Sequence, residues 1–287
     1  MNKSMVKYLC ALLLFGSNGI IASLISLNSC EIVMFRTLIG SLLLIVLYFI
    51  TNRHFTFFHH KKDFLFLILS GISMGISWLF LYEAYRQIGV SIASLGYYCG
   101  PIIVMAISPF LFKEKLTKHK LFFFSLVFAG IILVNCNAFT EFHNTAGIIC
   151  SLMSAVMYAC MLCLNKKAKG ITGIENATLQ LCFAFVSVFV FVLVKQGLHI
   201  SIQNSDVVPL IFLGLINTGV GCFLYFSSIG NIKVQSVAIL GYMEPLFAVL
   251  FSFLFLKERL LPIQIAGAVL IITGAVCANL HAKSQNA

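Results

Sequence analysis

Charge is what this sequence has least of. Asp, Glu, Lys and Arg make up 10% of its 287 residues, against about 25% in an ordinary soluble domain. Acids are scarcest, nine beside nineteen Lys and Arg. There are five prolines and one tryptophan, and the longest polar stretch is only Thr51 to Asp63. A chain so poor in charge has too little polar surface to face water, which excludes a soluble globular protein, and its short connectors leave no room for a linker or appended soluble domain. Catalytic signatures are missing too: no Walker motif, no H-E-x-x-H, no G-x-S-x-G and no paired intramembrane Asp. The expectation is that the chain is not an enzyme and carries no cofactor and no metal.

What is present is apolar. The chain is 60% hydrophobic with a mean hydropathy of +1.02. Its apolar runs are continuous rather than alternating, which predicts membrane-spanning helices and not a barrel. Ten such runs fall at roughly 8–27, 32–50, 64–83, 92–112, 121–136, 146–164, 176–194, 207–228, 235–256 and 262–280. The first resembles a signal peptide but is too long for one and reads as an uncleaved span. The net charge of +10 reads as membrane orientation, not nucleic-acid binding. With the N-terminus inside, 14 Lys and Arg fall in inside segments and 4 in outside loops, so both termini are expected in the cytosol. Most of the ten cysteines lie within apolar runs, where they behave as small hydrophobes.

The chain also repeats itself. At an offset of 144 residues Pro101 matches Pro245, Lys113-Glu114-Lys115 matches Lys257-Glu258-Arg259, and Leu116 matches Leu260. The same offset pairs Glu31 with Glu175, Gly75 with Gly219, Val90 with Val234 and Gly130 with Gly274, without a gap. Two units are expected, 1–143 and 144–287, each of five helices. An odd helix count forces the second unit to enter the membrane upside down, so the fold class is all-α, ten transmembrane helices in two inverted five-helix repeats. Folds of this kind hold a solute site at the repeat interface.

With these features the sequence resembles the EamA-type members of the drug/metabolite transporter superfamily. The resemblance rests on Pro101 with Lys113-Glu114-Lys115, on Glu244-Pro245 with Lys257-Glu258-Arg259, on Gly267 and Gly274, and on Phe35-Arg36 early in the second helix. It covers nearly the whole chain. It implies a multi-pass inner-membrane secondary transporter moving a small-molecule solute across the lipid bilayer by alternating access. Export of an amino-acid-like or other amphipathic solute is the leading expectation. Uptake or exchange, an intramembrane enzyme and a scaffold are the alternatives. A proton or a counter-solute is the candidate coupling species. The residues leave the oligomeric state open.

Two charges stand out for chemistry. Glu244 lies in a membrane run, where a carboxylate is a functional candidate by default; the competing reading is a bond to backbone freed around Pro245. Arg36 either holds a carboxylate in the cavity or snorkels outward near Glu31. Each is present in one repeat only, since Gly100 answers Glu244 and Gln180 answers Arg36. Trp78, Tyr82, Tyr97, Tyr98 and Tyr242 are amphipathic rings suited to an amphipathic solute, or else an interfacial belt. With Pro101 and Pro245 they complete the expected transport pathway.

Overall fold

Long runs of Leu, Ile, Val and Phe with few polar backbone competitors satisfy their peptide groups most simply by coiling into helices. The computed structural model describes residues 3–51, 56–134, 145–197, 202–255 and 261–284. Its helices are α1 (Lys3–Ser23), α2 (Ser29–Ile50), α3 (Lys61–Val90), α4 (Ile92–Phe112), α5 (Lys118–Val134), α6 (Thr145–Lys167), α7 (Gly173–Gln196), α8 (Asn204–Ile229), α9 (Val234–Phe255) and α10 (Pro262–Ser284). Among the described residues eight of these, all but α5 and α10, are long and apolar enough to cross a membrane. The motif Lys257-Glu258-Arg259 lies outside the described residues.

One boundary differs from expectation. The third apolar run was expected to end near residue 83 and give way to a loop, yet α3 continues to Val90. The reversal into α4 is made at Gly89, whose φ of +75° is open to glycine and strained for other residues.

The helices pair across the two repeats. Helix α3 packs on α6 and α7, α8 packs on α1 and α2, α5 lies against α10, and α4 touches both α6 and α9. Close approaches at glycine fix the register. A Cβ on Gly75 would fall 2.8 Å from the Ala184 carbonyl oxygen and would also collide with Ser187, while one on Gly219 would meet Leu43 and lie 3.5 Å from the Gly40 Cα. Subtracting 144 from 184 and 187 gives 40 and 43, so these are the same crossing made twice. Gly130 against Gly267 and Ile271 is likewise repeated as Gly274 against Phe123 and Val127. This pairing is what a pseudo-two-fold axis between the repeats requires. Small residues at such crossings let the backbones come close enough for dispersion to hold them where lipid supplies no hydrophobic drive. A Cβ at Gly71 would lie 2.7 Å from the Gln180 carbonyl oxygen and 2.6 Å from the Phe183 Cβ, with backbone on one side. Gly71→Ala is therefore expected to lower the detergent melting temperature, with a cost of about 1–3 kcal/mol; an unchanged melting curve would contradict the packing.

Buried and half-buried acids hold the helix ends. Glu114, at the close of the first repeat's Lys-Glu-Lys motif, accepts the first backbone N–H groups of α9, Val234 at 2.9 Å and Gln235 at 3.2 Å. Asp63 at the start of α3 accepts from Gly170 at 2.7 Å, and Asp206 at the start of α8 accepts from Ser26 at 2.9 Å. Each of these acids reaches into the other repeat, where unpaired N–H groups at turns and helix starts favour an anion.

Candidate functional site

Breaks in three helices open the centre of the bundle. In α4 the helix is interrupted at Tyr98–Cys99 and in α9 at Tyr242, positions that correspond under the 144-residue offset. Pro101 and Pro245 follow within the first turn of the resumed helices. There the missing proline donor costs nothing, while the preceding turn loses a partner. In α4 the Ile102 N–H bonds Cys99 at 3.0 Å. The Tyr98 carbonyl is taken instead by the Tyr242 hydroxyl at 2.9 Å. Helix α1 breaks at Ser17. Beside it, α8 swells into a π-helical segment, Leu213–Val220, a distortion common at functional sites. Asn217 in that segment sends its amide nitrogen to the Leu14 carbonyl at 2.8 Å and the Asn18 side-chain oxygen at 3.0 Å, binding the two distortions together.

The opening is a cavity of about 320 Å³, large enough for a small metabolite. Arg36, Trp78, Tyr82, Tyr97, Tyr98 and Glu244 all stand on its wall. Six of the nine residues expected on the pathway therefore converge on one space. The other three do not line it. Pro101 and Pro245 shape the helix breaks, and Tyr242 is fully buried with its hydroxyl committed to the Tyr98 carbonyl. Tyr242 is thus corrected from a pathway ring to a joint between the repeats. Phe15, Asn18, Tyr85, Ser94, Tyr158 and Tyr225, none of them among the nine, also line the cavity. The available signal for the first two was Gly16-Ser17-Asn18-Gly19, a small and polar interruption in the first apolar run.

Arg36 does not snorkel. Glu31, its proposed helper, is occupied in a capping box with Asn28 and also accepts from Gln196 at 3.1 Å. The guanidinium turns inward and is 1% exposed. Its Nε donates to the Thr218 hydroxyl at 2.9 Å, its Nη1 donates to the Tyr82 hydroxyl, and its carbon lies 4.4 Å from the centre of the Trp78 ring. Thr218 belongs to the π-helical segment, and its hydroxyl donates to the Leu213 carbonyl at 2.8 Å. The third nitrogen, Nη2, is buried without a partner. Among the described residues no carboxylate lies within 4.0 Å of the guanidinium.

Glu244 is the counterpart. Of the nine acids in the chain, Glu141 and Glu258 lie outside the described residues. Six of the remaining seven are bonded: Glu31 and Glu175 at helix starts, Asp63, Glu114 and Asp206 to backbone N–H groups, and Glu83 to Arg86. Glu244 alone among the described acids makes no hydrogen bond or ion pair within the chain, and it stands on the cavity wall. The reading in which it satisfies backbone around Pro245 is not what the structure shows.

The rings close the remaining wall. Tyr97 meets Tyr158 edge-on with centroids 5.4 Å apart, and the Tyr158 and Tyr225 hydroxyls lie 3.3 Å from each other. The site therefore offers a cation with a spare donor, a carboxyl group without a partner and polarised aromatic faces.

Two successive matches to the model of the EamA-like transporter family cover residues 3–136 and 145–280. The chain belongs to the EamA-like transporter family. This EamA-like chain is 24% identical over 274 residues to the uncharacterized transporter YxxF of Bacillus subtilis, covering 94% of the present chain and 88% of that one. It is 25% identical over 224 residues to a probable amino-acid metabolite efflux pump of Salmonella typhimurium, covering 72% and 74%. A protein of known crystal structure shares the fold with a TM-score of 0.83 at 15% identity, over 97% of this chain and 99% of that one. The EamA-like protein is a multi-pass membrane transporter of the drug/metabolite transporter superfamily.

Proposed function

We propose that the protein exports an amino-acid-like or other amphipathic solute from the cytoplasm by alternating access, with ten spans, both termini cytosolic and the cytoplasmic membrane as its site. The observation that carries this is the pairing, on one cavity wall, of an arginine with an unused donor and a glutamate with no partner. Two charges of opposite sign, set among aromatic rings, complement a zwitterion with an apolar side chain. The guanidinium takes the carboxylate, Glu244 takes the ammonium, and the rings take the remainder. Relatives named probable amino-acid metabolite efflux pumps in Salmonella typhimurium and Escherichia coli support this class of solute. With no nucleotide-binding motif in the sequence, the driving force is a gradient. Glu244 is suited to carry a coupling proton when no ammonium occupies it.

Purified protein in liposomes tests the reading. Flux of labelled apolar amino acids above that of empty liposomes is expected, and its absence across a metabolite panel, with correctly inserted protein, would reject transport of this class. A reporter joined after Ala287 is expected to read as cytosolic; an extracytosolic signal would overturn the orientation.

A further inference from the structure

The central cavity is not the only space along the bundle. A second cavity, of about 580 Å³, lies at the end where α6 and α8 finish and α7 and α9 begin. Asn165, Asn176, Lys166, Lys169 and Lys233 stand on its wall. The two cavities meet at a single side chain: Phe226 of α8 lines both. It is 3% exposed and packs edge-on against Tyr225, with centroids 5.0 Å apart. Beside it runs a thread of amides. The Gln180 amide nitrogen approaches the Met74 sulfur at 3.9 Å, and Met74 lines the central cavity. The Gln180 oxygen accepts from the Asn165 amide at 3.1 Å, and Asn165 in turn donates to Asn176 at 2.9 Å. A chain of side-chain contacts, Met74–Gln180–Asn165, thus joins the two walls, and Phe226 is the residue the two walls share.

We propose that the second cavity is the lysine-side antechamber of the transport path, taking a solute that bears a carboxylate, and that Phe226 is the partition between it and the central site. Glu114 also stands on this wall, held by the α9 backbone, and the Lys166 ammonium donates to the Ile229 carbonyl at 2.8 Å; three lysines against one carboxylate leave the wall net positive. A carboxylate arriving there meets ammonium groups first and amide donors next, and reaches Arg36 only after the ring moves aside. Gln180 is the repeat counterpart of Arg36. The second repeat thereby supplies a neutral relay where the first supplies the charge, and a neutral amide lets a carboxylate pass without trapping it.

This assignment rests on the central cavity as the transport site, and its test needs no knowledge of the solute. Ala248 is on the wall of the central cavity, so Ala248→Cys provides a reporter. The full-length protein in oriented liposomes is treated with a small, charged, membrane-impermeant methanethiosulfonate from either face, and modification of residue 248 is followed by peptide mass spectrometry. With Phe226 present, modification is expected from the face opposite the lysines and at least about tenfold more slowly from the lysine face. Adding Phe226→Ala is expected to abolish that difference, and Phe226→Leu, which keeps more of the packing, is expected to reduce it. Equal rates from both faces with Phe226 present would overturn the partition. So would undiminished protection in whichever of the two variants keeps the melting curve of the parent. Loss of the solute reading would show instead as unchanged flux on altering Glu244, whatever the labelling pattern.

Discussion

Glu244→Gln is expected to lower solute flux by about tenfold or more while leaving the melting curve in detergent close to that of the parent. Gln keeps the shape of Glu and removes its charge. Since Glu244 has no hydrogen bond or ion pair within the described structure, folding loses neither by the change. Removal of a charge with no internal partner from a bilayer-spanning segment favours insertion, since an acid at mid-helix costs on the order of 2.5–3.5 kcal/mol on insertion scales. Transport loses the group proposed to meet an ammonium or to carry a proton. A tenfold change corresponds to about 1.4 kcal/mol of binding, just under the low end of what one charge-assisted contact contributes, about 1.5–3 kcal/mol. Unchanged flux would reject the role. A fall in flux accompanied by a collapsed melting curve would mean that the carboxylate serves the fold.

For Arg36→Gln a different combination is expected: a comparable loss of flux together with a lower melting temperature. The guanidinium bonds Thr218 on α8 and Tyr82 on α3 and lies over Trp78, so it ties three helices together. A desolvated cation–π contact alone contributes about 2 kcal/mol. Solutes bearing a carboxylate are expected to lose more flux than analogues in which it is esterified, because the spare Nη2 is the proposed carboxylate donor. Arg36→Lys separates the two effects. It keeps the charge but not the planar fork, so it should restore part of the preference for carboxylates and little of the stability. Equal losses for acid and ester in Arg36→Gln would leave the guanidinium a structural tie only.

The crossing of Gly75 on Ala184 and its repetition by Gly219 on Gly40 were already latent in the 144-residue offset, because duplicated residues make duplicated contacts. Arg36 and Glu244 stood out for a related reason, each being a charge kept in one copy only, and both stand on the cavity wall. Tyr242 misled. Hydropathy places a tyrosine inside the membrane but not on a particular side of its helix, and these helices are apolar nearly all round, so no stripe marked the cavity face. The π-helical turn that presents Thr218 to Arg36 was equally invisible. It is a matter of backbone register fixed by neighbouring helices, and Leu213–Val220 has nothing in its composition to announce it. Phe15 and Asn18 reach the cavity only because α1 breaks at Ser17, which depends on Asn217 some 200 residues away.

The interlocking of the two repeats also bears on how the protein is made. Arg36 finds its oxygen partner in Thr218, 182 residues further along, and Asp63 finds its partner at Gly170. At ribosomal rates of about 5–20 residues per second, α2 leaves the translocon roughly ten to forty seconds before α8 exists. During that interval the spans of the first repeat sit in lipid with a guanidinium held only by its own repeat and with the glycine faces of α2 and α3 uncovered. The first repeat is thus an incomplete object until the second is synthesised.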